Sequence, residues 1–128
     1  MKTILIIDDE LPYLRLLHDQ LTKNGYAVIS ANDGEKGLAL AKQKHPDLIL
    51  LDIRMPSMNG LVVLKELRKD PYGKTVKVIL LTNLEPDDNT VKEVIHGQPS
   101  FYLVKSDIQL DSLIKKLKDL LGDEKEPQ

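Results

Sequence analysis

The chain has 128 residues, which fits one domain with its own hydrophobic core and is too short for two. Its 18 Lys and Arg residues against 20 Asp and Glu residues give a net charge of −2, so charge provides no drive toward nucleic acid or an anionic membrane. The absence of cysteine excludes disulfides and thiolate metal sites, and no apolar run approaches the roughly 20 residues that a membrane span requires.

Short apolar runs alternate along the chain with segments in which apolar residues recur at helical spacing. The predicted strands cover 4–7, 26–31, 48–51, 76–82 and 101–105. The periodic positions of the predicted helices lie within 11–21, 38–45, 61–67, 87–96 and 110–121. Asn32 and Glu35 resemble a capping box at the start of the second helix, and Gly25, Gly97 and Gly122 end the first, fourth and fifth helices.

Five consecutive strand–helix units predict an α/β fold in which helices cover both faces of a parallel sheet. We expect the flavodoxin-like, doubly wound (βα)5 arrangement with strand order 2-1-3-4-5. Its ligand site lies at the carboxyl ends of strands 1 and 3. Residues 1–122 are predicted to form this domain, and 123–128 a polar tail.

Three carboxylates follow the two strands that flank this site. The aliphatic run 48–51 leads directly into Asp52, and Asp8 and Asp9 follow strand 1. Like charges at one crevice raise one another's pKa unless a cation is present. An all-oxygen ligand set with room for water suits Mg²⁺.

Two further polar residues end strands at the same edge of the sheet. Thr82 ends strand 4 and Lys105 ends strand 5, which brings a hydroxyl donor and a point charge toward Asp52. A carboxylate can act as a nucleophile and form an aspartyl phosphate. Phosphoryl transfer needs chiefly positioning and charge neutralisation, which Mg²⁺ and Lys105 can provide.

These motifs resemble the receiver domain of the bacterial two-component response regulators, as a stand-alone or isolated receiver. The resemblance covers nearly the whole chain and rests on residues in family order and spacing: Asp8-Asp9, Leu51-Asp52-Ile53-Arg54-Met55-Pro56, Asn59-Gly60, Thr82 and Tyr102-Leu103-Val104-Lys105. It implies a phosphoacceptor switch of a phosphorelay that catalyses only its own phosphorylation and dephosphorylation and is otherwise not an enzyme.

The resemblance also implies a role for each residue of the site. Asp52 is the phosphoacceptor and receives its phosphoryl group from a histidine kinase or a phosphotransfer protein. Asp9, Asp52 and the backbone carbonyl of Arg54 bind Mg²⁺ directly, and Asp8 binds it through water. Lys105 contacts the phosphoryl group.

Thr82 and Tyr102 are, by the same resemblance, the switch pair that changes the surface of helix 4, strand 5 and helix 5. That surface contacts an unknown downstream protein, and a phosphorylation-dependent homodimer stays open. We expect no direct contact with nucleic acid or membrane. A cytoplasmic location without a signal peptide is expected because Met1-Lys2-Thr3 leads directly into strand 1. Because the given sequence ends just after helix 5, we expect no output domain within it, and it is either a stand-alone regulator that acts by protein contact or a domain of a larger protein.

The sequence departs from the family pattern at several positions. Asn83 follows the switch threonine where a small residue is usual, and His96-Gly97-Gln98-Pro99 replaces an Ala-Gly-Ala segment. Ser106 replaces a proline with a cis bond, which leaves the position of Lys105 open because a non-proline cis bond costs about 2.5–4 kcal/mol.

Slow self-dephosphorylation is a further expectation. Arg54 and Leu84 lie two residues after Asp52 and Thr82 and border the path of attacking water. A long charged side chain and an apolar one should hinder that water more than small residues do.

Simpler interpretations of each residue stay open. Asp8 can stabilise a helix N-terminus by its charge, and Asp52 can cap a loop. Thr82 and Tyr102 can be ordinary strand residues. Lys105 can extend along the sheet edge with its ammonium in water. For the whole chain, the alternatives are a pseudo-receiver that docks without being phosphorylated and a Mg²⁺-dependent phosphohydrolase of the haloacid-dehalogenase type.

Overall fold

The computed structural model describes residues 1–83 and 87–122, in which strands and helices alternate throughout. The strands are β1 (Thr3–Ile7), β2 (Ala27–Ala31), β3 (Leu48–Leu51), β4 (Lys77–Thr82) and β5 (Phe101–Val104). The helices are α1 (Leu11–Lys23), α2 (Gly34–Lys44), α3 (Gly60–Lys69), α4 (Asp88–Gly97) and α5 (Leu110–Leu121). All strand pairs are parallel and the sheet order is β2-β1-β3-β4-β5, which confirms the predicted fold.

Alternate residues of the central strands enter two separate cores. Leu5, Ile49 and Leu80 pack in one core with residues of α2 and α3. Ile6 and Leu50 pack in the other with residues of α1 and α5. Because both faces of the sheet are covered, β1 and β3 are apolar at successive positions instead of alternating with polar residues.

Helix ends differ in detail from the sequence expectation. Asp33, not Asn32, caps α2, because its side chain accepts a hydrogen bond of 2.8 Å from the backbone N–H of Lys36. Helix α4 includes Gly97 and is capped by Gln98, whose φ of 52° is in the left-handed region. The predicted polar tail, 123–128, and Leu84 lie outside the described residues.

No helix within 1–83 and 87–122 is long and apolar enough to cross a membrane.

Candidate functional site

Strands β1 and β3 bring Asp8 and Asp52 to the same edge of the sheet. Ile7 pairs with Leu51, so the residues that follow them, Asp8 and Asp52, leave the sheet side by side. The backbone N–H of Asp52 donates to the carbonyl of Ile7 at 2.9 Å, which holds the two strand ends together. Asp8 and Asp52 are both buried, at 2% and 5% exposure. Buried carboxylates need a cation or hydrogen-bond donors to stay ionised, so the groups around Asp8 and Asp52 determine whether the two carboxylates are charged.

Lys105 lies immediately after β5, and its backbone N–H donates to the carbonyl of Thr82 at 2.8 Å. Its Nζ is 2.8 Å from Asp8 Oδ2, 2.5 Å from Glu10 Oε1 and 3.3 Å from Asp52 Oδ2. No peptide bond in 1–83 or 87–122 is cis, and the proline replacement at position 106 leaves Lys105 at the site. The lysine therefore joins the end of β5 to the segments that follow β1 and β3.

Burial and the contacts between charged groups shift the pKa values at this site in opposite directions. Burial raises the pKa of the Asp8 carboxyl from 3.8 to about 6, although hydrogen bonds from Lys105 and from the Glu10 backbone counteract it. For Lys105, burial disfavours the ammonium, but hydrogen bonds to Asp8 and Glu10 outweigh it and the pKa is raised. One ammonium thus faces three carboxylates. The site has an excess of negative charge that a further cation would neutralise.

The free oxygen of Asp52 indicates where such a cation fits. Asp52 Oδ1 is buried and has no hydrogen-bond partner among the described residues. Carboxylate oxygens of Asp8, Glu10 and Asp52, which we call the acidic cluster, lie within 4.8 Å of one another. Oxygen ligands at this spacing suit a hard divalent cation such as Mg²⁺.

Asp9 and Arg54 lie beside the acidic cluster rather than in it. Both are exposed, and both line an open cleft of about 660 Å³ whose wall includes Asp87 and Thr90 at the start of α4. Gly60 closes the space behind Asp52, because a Cβ at that position would collide with the Asp52 backbone carbonyl. The Asp52 backbone therefore packs directly against the start of α3, and the cleft lies beside it.

Thr82 and Tyr102 occupy one face of the sheet on neighbouring strands. Tyr102 pairs with Leu80, two residues before Thr82, so both side chains point to the side of α3 and α4. Thr82 is fully buried, whereas Tyr102 is half-buried. The structure thus places the predicted switch pair close in register, next to Lys105 at the end of β5.

Two residues at the site were not singled out from the sequence. Glu10 caps α1 and contacts Lys105 Nζ, and the ring of Tyr13 lies 4.6 Å from the same nitrogen. The only sequence signal for Glu10 is that it is the third acid in a row after β1. Tyr13 follows Glu10 by three residues in the sequence, and in a helix this spacing places both side chains on one side of α1.

Comparison with known proteins places these residues in a family context. Residues 4–118 match the family model of the response regulator receiver domain. PilH of Pseudomonas aeruginosa is 34% identical over 122 residues, which cover 95% of this chain and 99% of PilH. The probable transcriptional regulator ycf27 of Porphyridium aerugineum is 41% identical over 102 residues, which cover 80% of this chain and 41% of that protein.

A solved structure agrees with both sequence matches. The response regulator protein TrrA of Thermotoga maritima, in complex with Mg²⁺ and BeF, superposes with a TM-score of 0.81 at 36% identity. The match covers 94% of this chain and 100% of that one. The chain spans about two fifths of ycf27 and nearly all of PilH and TrrA. Fold, site geometry and these matches together show that the chain belongs to the response regulator receiver domain family of two-component systems.

Proposed function

We propose that the chain is a phosphoacceptor switch in which Asp52 accepts a phosphoryl group in a Mg²⁺-dependent reaction. The observation that carries the proposal is the buried Asp52 Oδ1, which has no partner in the described part of the chain, beside a lysine that bonds the other oxygen. A carboxylate with one oxygen free and one held by a cation is suited to attack phosphorus. Receiver domains are signalling switches rather than metabolic enzymes, and this arrangement fits that role.

Lys105 and the acidic residues have different roles in the reaction. Lys105 presents its ammonium to the phosphoryl oxygens and offsets their negative charge. Asp9, Asp52 and the Arg54 carbonyl would hold Mg²⁺, with Asp8 acting through water. Glu10 would keep its contact with Lys105 when Mg²⁺ binds and is not a Mg²⁺ ligand in this proposal. When bound, Mg²⁺ supplies charge that counters the repulsion between the phosphoryl group and the carboxylates.

Thr82 and Tyr102 would convert the chemical change into a change of surface. In this proposal the Thr82 hydroxyl moves to the phosphoryl group and Tyr102 fills the space that the threonine leaves. The surface of α4, β5 and α5 then differs between the two states. Val91 and Ile95 on α4 are exposed apolar residues, at 42% and 67%, and would belong to that surface.

The partners follow from the family. A histidine kinase or phosphotransfer protein would supply the phosphoryl group, and a downstream protein or a second copy of the chain would read the surface. We expect neither nucleic acid nor membrane as a direct ligand, and the cytoplasmic location stays a prediction.

The test is the intact mass after incubation with acetyl phosphate and Mg²⁺. We expect wild type to gain the mass of one phosphoryl group and Asp52→Ala to gain none. Asp19→Ala, an exposed acid on α1, is the matched control and should gain mass like wild type.

Two other results would support the alternative functions. No added mass, and an unchanged amide NMR spectrum with beryllofluoride and Mg²⁺, would indicate a pseudo-receiver that only docks. Steady turnover of a generic phosphate ester that Asp52→Asn abolishes would indicate a phosphohydrolase.

A further inference from the structure

The Lys105 ammonium has no spare hydrogen in this structure. Its three N–H donors face three carboxylates, at 2.8 Å for Asp8, 2.5 Å for Glu10 and 3.3 Å for Asp52. The ring of Tyr13 covers a further side of the same nitrogen at 4.6 Å. Lys105 can therefore donate to a phosphoryl oxygen on Asp52 only if it gives up a carboxylate that it now holds.

Burial decides which carboxylate is released most easily. The side chains of Asp8 and Asp52 are 3% and 5% exposed, whereas that of Glu10 is 50% exposed. A buried Asp8 carboxylate that loses its cation stays poorly solvated, at a large cost. At Asp52 the lysine must stay close, because the phosphoryl group is attached to that side chain and carries the negative charge there. Water can hydrate the Glu10 carboxylate when Lys105 leaves it. Glu10 is thus the partner whose loss costs least.

The Glu10 side chain has no competing structural task. Glu10 is the N-cap of α1, but its side chain makes no capping hydrogen bond. Its backbone N–H, which any residue would supply, donates to Asp8 Oδ1 at 2.9 Å. Replacing the side chain should therefore leave the start of α1 and the position of Asp8 unchanged.

We infer that Glu10 is a positioning residue that holds Lys105 in the unphosphorylated state and releases it as Asp52 is phosphorylated; this rests on the proposed function. With acetyl phosphate, a P–O bond forms to a carboxylate oxygen of Asp52. The P–O bond to the acetyl group breaks, and its electron pair leaves with acetate. Lys105 exchanges the Glu10 carboxylate for a phosphoryl oxygen. Glu10 therefore stabilises the unphosphorylated state and slows phosphorylation.

The experiment compares rates of mass gain for wild type, Glu10→Gln, Glu10→Ala and Asp19→Asn. Asp19 is exposed on the same helix, nine residues from Glu10 and so about 14 Å along its axis, and its change removes the same charge. Rates with acetyl phosphate and Mg²⁺ are measured in about 0.05 M and about 0.5 M salt, because salt screens long-range charge effects but not the loss of a contact.

We expect both Glu10 variants to be phosphorylated about two- to fivefold faster than wild type at high salt, the range for a half-exposed ion pair. Asp19→Asn should react at the wild-type rate there. The ¹⁵N NMR signal of the Lys105 ammonium should also shift or broaden in the unphosphorylated Glu10 variants, and not in Asp19→Asn.

The possible failures are distinct. If wild type gains no mass at all, both the proposed function and the role of Glu10 are overturned. If wild type is phosphorylated but the Glu10 variants match its rate at high salt, only the role of Glu10 is overturned. An unchanged Lys105 signal in both variants would overturn it as well, because the lysine would then not depend on Glu10.

Discussion

Asp8 shows how one buried residue couples stability to proton binding. Its carboxyl is 2% exposed, and burial raises its pKa from 3.8 to about 6 in spite of the contact with Lys105. In the folded protein the carboxyl therefore holds its proton up to a higher pH than in the unfolded chain. The site is arranged so that full ionisation of the acidic cluster is costly without an added cation.

The pH dependence of stability tests this point. Because folding favours the protonated Asp8, its contribution is fully present below about pH 4 and is lost as the pH rises through about 6. For a shift of this size the loss amounts to about 3 kcal/mol in the metal-free protein. We expect wild type to lose most of this, about 2–2.5 kcal/mol, relative to Asp8→Asn between pH 4 and pH 7, measured by urea unfolding in EDTA.

Asp19→Asn serves as the control, because Asp19 is exposed and the stability difference from wild type should not change with pH. A difference between wild type and Asp8→Asn that is also constant from pH 4 to pH 7 would contradict the prediction.

The sequence alone was enough to identify the main residues of the candidate site, but not the side chains that contact them. Asp8 and Asp52 were recognisable because each follows an aliphatic strand, and strand ends meet at one edge in a parallel sheet. Glu10 was not, because its role depends on a lysine that reaches it from β5, and spacing along the chain does not report such a contact. The relation of Asp9 to the cleft also needed coordinates, since adjacent residues leave a strand in different directions.

At the scale of elements, Arg68 fixes the end of α4 to the rest of the fold. Its guanidinium donates to the backbone carbonyls of Gly97 at 2.7 Å and Gln98 at 3.0 Å, at the end of α4. It also donates to the carbonyls of Gly73 and Val76, each at 2.7 Å, in the segment before β4. One side chain on α3 thus satisfies four carbonyls on two other segments.

Loss of Arg68 should therefore destabilise the protein as a whole and loosen α4 in particular. We expect Arg68→Met to lower the free energy of unfolding by about 2 kcal/mol, because charged hydrogen bonds are lost while water replaces some of them. Arg68→Lys should recover less than half, since an ammonium cannot span carbonyls on two segments. Equilibrium urea unfolding measures both, and hydrogen exchange of the Gln98 amide reports the local effect.

Arg15→Met is the matched control, because Arg15 is exposed on α1 and its loss should change stability by less than about 0.5 kcal/mol. The prediction fails if Arg68→Met is no more destabilised than Arg15→Met.

Strands and helices could be predicted from the sequence where burial determines which residues are apolar. Strands covered on both faces are largely apolar, so β1, β3 and β4 were recognisable from the sequence. The bounds of β3 were predicted correctly, and those of β1 and β4 differ by one residue at the start. The cap of α2 was wrong by one residue because Asn32 and Asp33 can both cap a helix, and only the backbone geometry selects Asp33. The Arg68 contacts had no signal, because their acceptors are backbone carbonyls, which every residue has.

At the scale of the whole molecule, the acidic cluster exists only in the folded chain. Asp8 and Asp52 follow different strands and become neighbours through the pairing of β1 with β3. A cation that binds both should stabilise the folded state by mass action, by about 2.7 kcal/mol at a concentration 100 times its dissociation constant. The melting temperature should therefore rise with added Mg²⁺ and return when EDTA removes it.

Asp52→Ala should lose most of this rise, and Asp19→Asn should keep it. Sodium chloride at equal ionic strength separates binding from screening. An equal rise in wild type and Asp52→Ala would show that the ion binds elsewhere.

The Arg68 contacts also determine how α4 can tilt. They hold its Gly97 end, while Asp87 and Thr90 at the opposite end line the cleft beside Asp9 and Arg54. Any rotation that preserves those hydrogen bonds has its pivot at Gly97. Because the helix of 10 residues is about 15 Å long, a tilt of about 10° would displace its first turn by about 2–3 Å and its last turn hardly at all. A rearrangement at the cleft would thus displace the start of the helix and leave its end in place.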